Sequence, residues 1–184
     1  MRALDHVTER GVPETLLTFI RENCDIAQDI VRWLPGEKLP KREQLLLVHA
    51  NDMTTTLSEF YGGPLHVKIL HKTQRDDLYL REVYLCTESD QIVEYGVIAV
   101  ALEQFTVSQQ SAIHAGQVPL GGLLHQFQVP FVSAPIGYVS LPAKGLNVSS
   151  LPAPAGSTCF GRFNRLSKPT GEPLAWILEV LPLA

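Results

Sequence analysis

The chain has few charges and few cysteines. From Gln104 to Ala143 it holds no Asp, Glu, Lys or Arg, but Gln, Ser, Gly and Pro break this stretch too often for a membrane span. It reads instead as chain that covers something apolar. The three cysteines, Cys24, Cys86 and Cys159, are far apart and form no Cys-x-x-Cys pair. That spacing points to free, buried thiols in a reducing compartment. The first residues, "MRALDHVTERGVPET", lack the apolar run of a secretory signal, so a cytoplasmic location is expected. Basic excess is missing too. A net charge of -4 gives no field for gripping nucleic acid. A phosphate-binding glycine loop, a Gly-x-Ser-x-Gly elbow and a dinucleotide fingerprint are all absent, and the six histidines have no metal-ligand spacing. Neither a metal nor a redox cofactor is implied.

What is present suits one compact domain over residues 1–184. With 45% hydrophobic residues, a chain of 184 residues buries roughly 70% of the surface it exposes when unfolded. Residues 14–34 place Leu16, Ile20, Cys24, Ala27, Val31 and Leu34 at helical spacing behind Pro13, which predicts an amphipathic helix within an N-terminal helical extension over 1–40. "REQLLLVHA" predicts another helix, and "NDMTTTLSEFYGG" predicts a short one, capped by Asn51 or Asp52 and ended by Gly62 and Gly63. Strands follow: "LHVKILHK", "LYLREVYLC" and "QIVEYGVIAVAL" are separated by hairpin-length polar stretches. Residues 103–128 read as partly helical. Residues 129–157, rich in Pro, Gly, Ser and Ala, read as a long loop, and a last hairpin closes the chain. Helices gathered early and strands later predict an α+β fold, an antiparallel sheet with helices packed on one face.

Two charges interrupt this pattern. In "LAWILEVLPLA" both strand faces are apolar except for Glu179, and in "LYLREVYLC" Arg81 shares a face with Tyr79, Val83 and Leu85. One reading is a buried Arg81–Glu179 salt bridge, or either residue at a wet strand edge. The other is a small pocket in which Arg81 binds an anion and Glu179 acts as an acid or base, its proton affinity raised by apolar surroundings. Periodicity alone leaves both open.

Four segments, in order, resemble the chorismate lyase family: "NDMTTTLSEF", "LYLREVYLC", "VPLGGLLH", and "FGRFNRL" with "GEPLAWILEVLP". The resemblance implies a sheet with its ligand buried under flaps, and release of pyruvate from chorismate to give 4-hydroxybenzoate for quinone or other aromatic biosynthesis. It implies that Arg81 holds the aromatic carboxylate with help from the backbone at Met53. The backbone at Leu120 then lies near the product hydroxyl, and Glu179 faces it as acid or base. It further implies a monomer whose partners are the small substrate and product, with no membrane and no nucleic acid. Val97 stands where well-known members carry an arginine, which leaves the enolpyruvyl carboxylate without an assigned partner; Arg162, Arg165 and Lys68 are the candidates. The same fold also serves as the effector domain of some bacterial transcription regulators, so the alternative expectation is a non-catalytic small-molecule (aromatic acid) binding domain, or a lyase giving 3-hydroxybenzoate.

Overall fold

Three strand-patterned segments joined by short polar turns fold into consecutive hairpins. In the computed structural model, which describes residues 7–24, 26, 31–143 and 156–183, these are β2 (Leu65–Arg75), β3 (Leu78–Thr87) and β4 (Ile92–Ala101). The last two strands, β6 (Thr158–Ser167) and β7 (Pro173–Leu181), form the closing hairpin, and β7 pairs antiparallel with β4. With β1 (Arg32–Leu34) and β5 (Val132–Pro142), the described residues form one seven-stranded antiparallel sheet, ordered β1-β5-β6-β7-β4-β3-β2. The central strands are therefore those of the closing hairpin and β4.

Both faces of the sheet are covered, which explains why β7 is apolar on both of its faces. Helix α1 (Glu14–Asn23) lays Leu16, Phe19 and Ile20 on one face, against Leu80, Val97, Trp176 and Leu178. The other face carries α2 (Lys41–Leu47), α3 (Met53–Tyr61), α4 (Val107–Ala115) and α5 (Leu120–Gln126). The charge-free stretch noted in the sequence supplies α4 and α5, so it does cover apolar surface. The four helices from α2 onward share one face, and α1 adds a layer on the other.

Two local expectations need correction. The helix predicted over 14–34 ends at Asn23; Arg32, Trp33 and Leu34 are strand β1, paired with Ser140, Val139 and Tyr138. Leu34 precedes Pro35, whose ring disfavours a helical conformation at the residue before it. The helical spacing of Val31 and Leu34 was coincidental, and sheet pairing prevailed. The loop predicted over 129–157 contains the eleven-residue strand β5; residues 144–155 lie outside the described part. Proline composition misled here because the prolines sit where no partner needs an N–H. Pro135 lies beyond the end of β1 at a register shift, and Pro142 is the last residue of the strand. Gly137 has a packing reason, since a Cβ there would lie 2.7 Å from the Trp33 ring, which stacks on Phe163.

The face under α1 is an apolar layer, bordered by a cavity of about 350 Å³ between Leu17, Ile20, Trp33, Phe163 and Leu178. Replacing Phe19, 1% exposed, by alanine is expected to destabilise the protein by about 3–5 kcal/mol, as chemical denaturation would read.

Candidate functional site

The site lies on the helix-rich face, where alternation along the strands brings together residues distant in sequence. Arg81, Val83 and Leu85 come from β3, Glu94, Gly96 and Ile98 from β4, and Ile177 and Glu179 from β7. Asp52, Met53 and Thr54 roof the cavity at the start of α3, and Pro119, Leu120 and Gly121 do so at the start of α5. Arg81, Met53, Leu120 and Glu179, the four residues singled out by the family resemblance, all line this one cavity. The first turns of the two helices present backbone N–H groups without intrahelical partners, which biases the roof toward anions.

Arg81 and Glu179 do not pair with each other. Glu179 is 2% exposed and accepts from Arg162 Nε at 2.5 Å, its direct cross-strand neighbour on β6. Arg162, fully buried, spends its other nitrogens on main-chain carbonyls: Nη1 donates to Leu47 and His49 O at 3.0 Å each, and Nη2 to Asn51 O at 3.0 Å. His49 Nδ1 lies 3.3 Å from Nη1 while Nε2 lies 2.8 Å from Leu46 O, which fits a neutral ring donating through Nε2. Burial and the neighbouring guanidinium both lower the His49 pKa and favour that neutral form. Ser133 adds a bond to Asn51 O at 3.1 Å and accepts from Asn164 Nδ2 at 3.1 Å. The chain between α2 and α3 is thereby fastened to the sheet, which fixes where Asp52 and Met53 sit.

Arg81 is the opposite case. It is 2% exposed, Nη1 is at 3.5 Å from Ile113 O, and Nε is buried with no hydrogen-bond partner. Among the described residues no carboxylate pairs with it. Burial lowers its pKa, partly offset by Tyr79, yet a guanidinium remains charged under all ordinary conditions. A buried cation without a counter-ion is costly, and an anion beside Arg81 would offset that cost.

The roof is clasped. Asp52 caps α3 by accepting from Thr55 N at 2.9 Å, and its other oxygen lies 3.1 Å from His125 Nε2 on α5. Gly121 must be glycine, because a Cβ there would come within 2.5 Å of Asp52 Oδ1. Under this roof the cavity measures about 40 Å³, room for a few waters. A cavity of about 150 Å³ holds benzene, so this one must widen to take an aromatic ring.

Sequence reasoning missed Glu94, although the signal was available: it is the single charge in "IVEYGVIAVA", the same kind of interruption that marked Arg81 and Glu179. Of the three candidates for a second anion contact, Lys68 pairs with Asp90 at 2.8 Å on the surface and Arg165 is exposed on the other face. Arg162 is engaged as described. Val97 packs in the layer under α1 and does not face the cavity. Among the described residues no group of His, Cys, Asp and Glu is gathered as a metal would need, and no helix is long and apolar enough to cross a membrane.

Comparison with solved structures finds the gene product SA0254 of Staphylococcus aureus, at TM-score 0.52 and 12% identity over 75% of this chain and 92% of that one. It also finds a "possible transcriptional regulator YydK" of Bacillus subtilis, at TM-score 0.50 and 11% identity over 96% of this chain and 79% of that one. At these identities the likeness shows the fold alone. The fold is the α+β type that the sequence resemblance implied, one antiparallel sheet with helices roofing a pocket. No protein-family model matches the chain. No curated protein matches it either.

Removing one partner of the Arg162–Glu179 pair strands a buried charge. Arg162→Met is expected to cost about 3–5 kcal/mol in urea unfolding. Arg162→Met combined with Glu179→Leu should recover much of that loss, because no charge then remains unpaired.

Proposed function

We propose that the cavity binds a small aromatic carboxylate and that the protein is a chorismate pyruvate-lyase, converting chorismate to 4-hydroxybenzoate and pyruvate for quinone or other aromatic biosynthesis. The observation that carries this reading is the guanidinium of Arg81, without a carboxylate partner among the described residues, in a cavity that Glu179 also lines. Arg81 meets the ring carboxylate, for which a guanidinium offers two parallel donors, with the backbone at Met53 assisting. The backbone at Leu120 and the carboxylate of Glu179 serve the opposite end of the ring. The chemistry asks for little more. As the C3–O bond breaks, its electron pair leaves with enolpyruvate, C4 gives up a proton, and the C–H electrons complete the aromatic ring; the enol takes a proton at carbon to become pyruvate. Aromatisation drives the reaction, so orientation, exclusion of water and one proton-transfer group suffice. Glu179, hydrogen-bonded to Arg162, is the group placed to receive the C4 proton.

Purified protein incubated with chorismate should release pyruvate and hydroxybenzoate well above the uncatalysed background, and absence of both overturns the reading. Identifying the ring product separates the 4-hydroxy from the 3-hydroxy isomer. Arg81→Met should weaken binding of hydroxybenzoate about 10- to 100-fold, read by calorimetry.

The second reading is a non-catalytic binding domain for aromatic acids, favoured by the likeness to a possible transcriptional regulator. The two part at Glu179→Gln. A lyase loses most of its turnover while still binding hydroxybenzoate, whereas a binding domain has no turnover to lose.

A further inference from the structure

Three buried glutamates project from the adjacent strands β3, β4 and β7, and their partners differ. Glu82 on β3 faces α1 and is doubly satisfied, accepting from Tyr95 Oη at 2.6 Å and lying 2.5 Å from His71 Nδ1. Glu179 on β7 has Arg162. Glu94 on β4 is 3% exposed, lines the cavity, and has Oε2 buried without a partner. Its position relative to Glu179 follows from the sheet register. Gly96 stands directly across from Glu179, and a Cβ on Gly96 would lie 3.2 Å from Glu94 Oε1. The Glu94 carboxyl thus occupies the space that a side chain at 96 would have filled, beside Glu179.

We infer that Glu94 is the hydrogen-bond donor of the cavity and that it forms with Glu179 a two-carboxyl reader for a ligand hydroxyl group, selecting hydroxy acids over their amino and unsubstituted counterparts. The argument is one of charge. Two carboxylates side by side in an apolar cavity do not readily both ionise, and the guanidinium that acts on Glu94, Arg162, is bonded to Glu179. Glu94 therefore keeps its proton. The charged and titratable groups around it are Glu179 on β7, Arg162 on β6, Arg81 on β3, and Asp52 at the start of α3, itself held by His125 of α5. Burial first, then Glu179 and Asp52, push the Glu94 pKa well above 4.5, while Arg162 opposes them. A ligand hydroxyl has the matching pattern: its O–H donates to the Glu179 carboxylate and its oxygen accepts from the Glu94 carboxyl. An aromatic amine can donate but accepts poorly, and a bare ring does neither. Chorismate carries a hydroxyl at C4 and an ether oxygen at C3, so the pattern fits it as well as its hydroxylated product. The inference rests on the reading of this cavity as an aromatic-acid site, and its test does not require turnover.

That test is calorimetric binding of 4-hydroxybenzoate, 4-aminobenzoate and benzoate between pH 6 and 9, to wild type, Glu94→Gln and Glu94→Leu. Wild type should prefer 4-hydroxybenzoate. Its affinity should fall with rising pH, up to tenfold per unit once Glu94 titrates, because the raised carboxyl must be protonated to donate. Glu94→Leu should cut the preference for the hydroxy acid about 5- to 10-fold. Glu94→Gln keeps the shape and a donor, so it should retain the preference with a flattened pH profile. The empty protein gives a second readout. A carboxyl whose proton affinity is raised by folding stabilises at low pH, and that stability is lost as pH climbs through the raised value; Glu94→Gln should abolish this slope in the melting temperature. An unchanged preference in Glu94→Leu, or a wild-type affinity that rises with pH, overturns the inference even if the protein proves to be a lyase. Failure of all three acids to bind overturns it together with the aromatic-acid reading. The expected binding pattern without any turnover supports it and leaves the non-catalytic reading of the cavity.

Discussion

Arg162 is the side chain on which the geometry of the site depends. It sits on a central strand, fully buried, and joins three parts that the sequence keeps far apart: β7 through Glu179, the end of α2 through Leu47 O, and the approach to α3 through His49 and Asn51. Main-chain carbonyls left open where a helix ends are natural acceptors for a guanidinium. The same contacts fix the start of α3, and hence half of the roof, over the sheet. The pair also sets the electrostatics of the cavity. It keeps one carboxyl compensated, so the neighbouring Glu94 is left without a cation and Arg81 without an anion.

The two faces of the sheet divide the labour. Under α1 the packing is apolar and the buried carboxyl, Glu82, is fully partnered. Among the described residues Arg81 Nε and Glu94 Oε2 line the cavity under α3 and α5 without a hydrogen-bond partner, and Tyr79 Oη and Ser167 Oγ are buried without one elsewhere on the sheet. Buried polar groups are ordinarily paired, and the two at this cavity are what the proposed ligand, with an anionic end and a hydrogen-bonding end, would satisfy.

Most of the sheet and the locations of Arg81 and Glu179 were legible because strand alternation exposes a charge that breaks it. Family likeness, not periodicity, named Met53 and Leu120, whose apolar side chains carry no such signal. What stayed hidden has physical causes. Glu179 and Arg162 meet only through the register of β6 with β7, which composition cannot report, so the salt-bridge reading named Arg81 rather than Arg162 as the partner of Glu179. Strand β5 was hidden by prolines, whose effect depends on whether a neighbouring strand needs the missing N–H. The short β1 was hidden because its apolar residues happened to fall at helical spacing. In each case the deciding partner lies far along the chain.

The contact between Gly121 and Asp52, with His125 closing over it, has a consequence in time. The cavity of about 40 Å³ under this roof must widen before it holds a ring. For the proposed aromatic acid, loosening of the α3–α5 contacts would then limit the rate of entry and of departure alike. Residence in the proposed site would be set as much by this helix-to-helix clasp as by the charges beneath it.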